Sequence, residues 1–116
     1  MSDELGLVFG ALADSTRRQM LDTLMRDGST SVPALTADLP ITRQAVAKHL
    51  AALTGAGLVE REPSNGGREV YYRLRPGALN PAAAWIHEAD QAWASRLDRL
   101  KTSVEATAPR SSGKLT

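Results

Sequence analysis

The 116-residue chain has no cysteine, which excludes disulfides and thiolate metal sites. Histidine occurs twice, at His49 and His87, too far apart in sequence to suggest a shared catalytic centre. Aromatic residues make up only 4% of the chain: two Trp, two Tyr and one Phe. No apolar run approaches the roughly 20 residues that a membrane-spanning helix needs, and no signal-peptide pattern opens the chain. The expectation is a soluble, cytoplasmic protein. No Ser/His/Asp or Cys/His constellation, spaced metal motif or phosphate-cradling loop stands out, so an enzyme is not expected. Gly66-Gly67 is too brief for a phosphate loop and fits a turn better. Internal repeats and low-complexity blocks are also missing.

What remains is ordinary globular usage, with 42% hydrophobic and 23% charged residues, in a chain long enough for one domain with a modest core. The formal net charge of +1 hides an uneven distribution. Residues 1–40 carry three basic and six acidic side chains, a net of −3. Residues 41–75 carry six basic ones (Arg43, Lys48, Arg61, Arg68, Arg73, Arg75) and three acidic ones, a net of +3. A local excess of this kind is the electrostatic footprint expected of a nucleic-acid-binding face.

Periodicity supplies the elements. Leu5, Val8, Phe9 and Leu12 fall at helical spacing. Asp14 or Ser15 can cap a second helix carrying Met20, Leu21, Leu24 and Met25, which Gly28 stops. Ser31 can cap a short third helix with Leu35 and Leu39 facing inward, and Pro40 prevents its continuation. Thr42 then caps a fourth helix to about Gly55, with Val46, Leu50 and Leu53 on one face. Two short helices joined by a tight break predict a helix-turn-helix, whose second helix enters the major groove front end first. "LVEREP" and "EVYYRL" are β-prone and flank Asn65-Gly66-Gly67, which suits a tight hairpin turn. Asn80-Pro81 starts a last helix, expected to reach about residue 105, with Trp85, Ile86, Ala89, Trp93, Leu97, Leu100 and Val104 on or beside one side. Residues 106–116 read as a disordered tail. The predicted class is mainly α with a two-stranded β-hairpin wing.

The front of the fourth helix carries the candidate base readers Arg43, Gln44 and Lys48. Arginine or lysine can pair with guanine O6 and N7, and glutamine with adenine N6 and N7. Thr42 can add a phosphate bond and Ala47 a thymine-methyl contact. His49, at the edge of the apolar stripe, either packs as a satisfied histidine or donates to a phosphate. Arg68 near the hairpin tip can reach a phosphate or the minor groove, with Arg61 and Arg73 nearer its base. Arg17 and Arg18 are open between solvation, bracing of the fold and backbone contact. Trp85 and Trp93 either form interface core or line a ligand pocket.

In element order and in wording the chain resembles the ArsR family of bacterial winged-helix repressors. "ALADSTRRQMLDTL" resembles that family's second-helix opening, "AVAKHLAALTGAGLV" its recognition helix, and "GGREVYYRL" its wing. The resemblance covers roughly residues 5–75 and implies a homodimer built on the first and last helices, here through Leu5, Val8, Phe9, Trp85, Ile86, Ala89, Trp93, Leu97 and Leu100. It also implies binding to an imperfect palindrome in double-stranded DNA and a block on transcription, often of the protein's own operon. Thiolate-sensing members carry Cys-x-Cys where this chain reads Ser31-Val32-Pro33. Members that sense metal through the last helix use paired His and carboxylate ligands, against His87, Glu88 and Asp90 here. "AAAWIHEADQAWASRLDRL" instead resembles the metal-independent, Trp-rich branch, so no cofactor is expected and the effector is left open. Two alternatives stand beside this reading: a winged-helix interaction adaptor that does not read DNA, and a metal-responsive repressor.

Overall fold

The computed structural model describes residues 3–63 and 67–107. Its order is α1 (Asp3–Leu12), α2 (Ser15–Asp27), α3 (Val32–Asp38), α4 (Arg43–Gly55), β1 (Val59–Arg61), β2 (Tyr72–Leu74) and α5 (Asn80–Thr107). The chain divides after Ala82 into two compact units, with most of α5 in the second.

Helices α2, α3 and α4 each begin on a side chain that satisfies an otherwise unpaired amide. Asp14 accepts the Arg17 N–H, Ser31 that of Ala34, and Thr42 that of Ala45. The Arg17 N–H bond, the largest influence on Asp14, holds its carboxyl below the usual carboxylate range. At the other end of α2, Gly28 adopts φ +88°, a region L side chains rarely enter, and its N–H donates to the Leu24 carbonyl.

The core of the first unit is aliphatic. Met20, Leu24, Leu35, Val46, Leu50, Leu53, Leu58 and Val59 are almost wholly removed from solvent. They come from α2, α3, α4, β1 and Leu58 just before it, so the recognition-type helix is clamped from behind by the rest of the unit. Leu39 ends up half-buried as the C-cap of α3, one residue beyond the helix. Met25 departs from expectation: it is 57% exposed. The stripe of α2 turns past it, because Leu21 and Leu24 already fill the inward face.

The hairpin is shorter than the β-prone segments suggested. Val59, Glu60 and Arg61 pair antiparallel with Leu74, Arg73 and Tyr72. Thr30, between α2 and α3, adds a bridge on the far side of β2, exchanging bonds of 3.0 and 2.8 Å with Tyr72. The expected turn residues Asn65 and Gly66 lie outside the described residues. The last helix runs two residues past the expected end, taking in Ala106 and Thr107; positions 108–116 of the expected tail lie outside the described residues.

Candidate nucleic-acid interface

Between α3 and α4 lie only the four residues 39–42, so the two helices form the predicted helix-turn-helix. The period of α4 separates its two faces. Val46, Leu50 and Leu53 point into the core, while Thr42, Arg43, Gln44, Ala47 and Lys48 are all exposed. No acidic residue occupies the first turn of α4, so the positive end of the helix and two cations share one outward surface. Thr42 already uses its oxygen as the helix cap at 3.1 Å from the Ala45 nitrogen, leaving its O–H as the group available to an acceptor.

His49 is half-buried and in contact with the protein itself: its Nδ1 stands 3.4 Å from Arg17 Nη1. Arg17 also donates from Nε and Nη2 to the carbonyls of Ala11 and Gly10 at 3.0 and 3.2 Å. Arg18 similarly donates to the Leu12 carbonyl. Of the three readings open for these arginines, bracing of the fold is the one observed. An arginine directly after a helix start, facing the exposed end of the preceding helix, was the available signal.

The wing arginines differ from one another. Arg61 and Arg68 are exposed and line a common surface depression with Glu62 and Glu69. Arg73 is engaged across the hairpin by Glu60, with Nε and Nη2 each 2.8 Å from Oε2. Glu69 is occupied by the Tyr71 hydroxyl, a hydrogen bond that pushes the phenol's pKa up.

A helix-turn-helix domain family model matches residues 12–62. The arsenic resistance transcriptional regulator ArsR1 of Pseudomonas putida is 34% identical over 109 residues, covering 90% of this chain and 82% of that protein. The chain belongs to the ArsR family of winged helix-turn-helix transcriptional regulators. An ArsR-like transcriptional regulator from Rhodococcus sp. RHA1 has a similar structure, with a TM-score of 0.80 and 40% identity over 91% of this chain and 94% of that one. A second solved structure, a winged helix-turn-helix DNA-binding domain from Mycobacterium bovis described as homodimeric, gives a TM-score of 0.60 and 28% identity, covering 77% of this chain and 80% of that one. This ArsR-family member is thus a DNA-binding transcriptional regulator.

The residues expected at a dimer interface divide into three groups. Val8 is only 7% exposed within a single chain, because it packs into the first unit's own core, so it has little surface to offer a partner. Leu5 and Phe9 are half-buried against the same core. Trp85, Ile86, Ala89, Trp93, Leu97 and Leu100 are exposed. Leu7 was missed: it is 54% exposed, and its place outside the 5, 8, 9, 12 stripe was the sign that it faces away from the core. Among the described residues of one chain, no group of three or more His, Asp or Glu comes together as a metal site. No helix among them is long and apolar enough to cross a membrane.

Proposed function

We propose that this regulator is a dimeric, sequence-specific repressor whose operator is an imperfect palindrome near its own or a neighbouring operon. The observation that supports this most is the sorting of α4, with its aliphatic face locked into the core and Arg43, Gln44 and Lys48 together outside. A side chain reads a base edge reproducibly only when its helix is held, and here the holding and the reading faces are opposite sides of one helix. Ala47 adds a thymine-methyl contact to the reading face, while Thr42, Arg61 and Arg68 complete the surface by phosphate contacts that position the protein without specifying sequence. His49 and Arg73 serve it indirectly, one through Arg17 and one by stiffening the hairpin.

The homodimeric Mycobacterium bovis domain and the exposed apolar residues of α5 support the dimer. Two-fold symmetry then sets half-sites in successive major grooves, about 34 Å apart. Residues 1–105 act as one DNA-binding and dimerisation domain followed by a tail, and the protein works in the cytoplasm by binding and not by catalysis.

The arsenic-resistance relative's name does not supply this chain's signal. A thiolate site needs cysteines, and the chain has none. Ser31, where thiolate-sensing members carry the first of their pair, is buried and caps α3 through its Oγ. An effector of this protein therefore acts without thiolate ligands.

Fluorescence anisotropy on the protein's own upstream DNA and on a shuffled duplex tests the reading. A dimer making about 6–10 phosphate contacts should lose ~10³–10⁵ in affinity between 50 and 200 mM salt while still preferring its own site. No binding to either duplex at low salt would reject DNA reading and favour an interaction adaptor.

A further inference from the structure

One groove on the first unit shares no residue with the DNA-reading face or with the set expected between subunits. It has a volume of about 310 Å³ and lies between α2, the end of β2 and the residues just before α5. Leu21 and Leu58, both buried, and half-buried Leu74 form its floor. Met25 and Leu79 form its lip, and these large apolar side chains are 57% and 39% exposed. Two charges stand at the same lip, one turn apart on α2: Arg18 and Asp22. Arg18 donates to the Leu12 carbonyl. Asp22 makes no hydrogen bond or ion pair among the described residues. Arg26, one turn further along, feels the Asp22 charge but is held by Asp27 at 3.1 Å.

We propose that this groove binds a small, uncharged, largely apolar molecule that carries one hydrogen-bond donor. Its volume is at the lower end of the ~300–1,000 Å³ of small-molecule sites, which are mostly apolar with a few polar groups. The charges at the lip set the rest. An anion would face Asp22 and a cation would face Arg18, so a full charge of either sign meets a like one. A neutral hydroxyl meets neither, and it can donate to Asp22, which when ionised only accepts. Covering Met25 and Leu79 removes apolar surface from water and supplies the driving force. The floor is also the base of the wing. The Leu58 carbonyl accepts the Arg75 N–H at 2.9 Å, and Leu74 is paired with Val59. A molecule seated there is placed to act on the wing as an effector of this regulator.

The test uses 2-naphthol and naphthalene, which share an apolar body and differ by one hydroxyl. The chain has three methionines, so isotopic labelling of their methyl groups gives a simple NMR spectrum. Met25 reports on the lip, and Met20, wholly buried, reports on the core. Saturable movement of the Met25 signal is expected with both probes, with 2-naphthol bound about fivefold more tightly, the worth of one net hydrogen bond. Asp22→Ala should abolish that difference and leave naphthalene unchanged. Leu79→Asp, at an exposed position and with an unchanged Tm, should weaken both probes. A Met25 signal that neither probe moves would overturn the site. Equal affinities for the two probes in the native protein would overturn the donor and the part given to Asp22. Probe affinity that falls as protein concentration rises through dimerisation would make a second copy the occupant and overturn the ligand.

Discussion

Arg17 Nη1 lies 3.4 Å from His49 Nδ1, so the start of α2 is tied to the middle of the recognition helix. The guanidinium has no acceptor to offer, and His49 Nδ1 must therefore take the hydrogen bond. A neutral His49 then carries its proton on Nε2. The same arginine closes on the Gly10 and Ala11 carbonyls, so one side chain joins the end of α1, the start of α2 and α4. Arg17→Ala should lower unfolding free energy by about 1–3 kcal/mol, the net loss of a few partly buried hydrogen bonds. Urea titration checks this. Arg17→Lys should recover little, since an ammonium cannot reproduce the planar fork.

Leu50 is 2% exposed, on the inner face of α4. Leu50→Ala should cost about 2–5 kcal/mol by loss of buried surface and creation of a cavity. Calorimetry should show a correspondingly lower Tm. Ala51→Ser, at the exposed neighbouring position, should leave Tm nearly unchanged.

Thr42 caps α4 through the Ala45 N–H. Thr42→Ala should cost about 0.5–2 kcal/mol, while Thr42→Ser or Thr42→Asn should restore most of it. Because the proposed base readers follow directly, the alanine variant should also bind operator more weakly than its stability alone explains. Anisotropy measured where the variant is fully folded separates the two effects.

Asp14 gives a pH dependence with a defined sign. Its native pKa is depressed by the Arg17 N–H bond, so the unfolded chain takes up this proton first as pH falls. The cap's contribution is fully present above the ordinary carboxylate range and is lost as pH drops through the lowered native value. The stability gap between the native protein and Asp14→Ala should therefore be constant from pH 7 to about pH 5. It should narrow in denaturant titrations below pH 4, as about half the unfolded-state carboxyl is then protonated.

Most of this architecture was legible because its signals are local. Capping residues at Asp14, Ser31 and Thr42, the breaks at Gly28 and Pro40, and the 46, 50, 53 stripe each act within a few residues of where they stand. What escaped depends on partners distant in sequence. Arg73 looked like a free cation until the register placed it opposite Glu60, and Thr30 has no local strand pattern announcing its bridge to Tyr72. Val8 illustrates the same limit at the candidate interface. An apolar stripe says which residues leave water, while only the packed structure says that Val8 is spent on the chain's own core and Leu7 is not.

The central claim is that the front of α4 specifies sequence while the rest of the surface supplies general affinity. The most direct measurement is the ratio of affinities for operator and shuffled duplex, in the native protein and in Arg43→Ala with Lys48→Ala, at one salt concentration and with folding and dimerisation verified. The prediction is that the double change loses about 2–6 kcal/mol of discrimination, taking ~1–3 for each base-reading pair, and retains binding to the shuffled duplex. An unchanged ratio, with both affinities lowered equally, would show these two side chains to be phosphate contacts and would contradict the account.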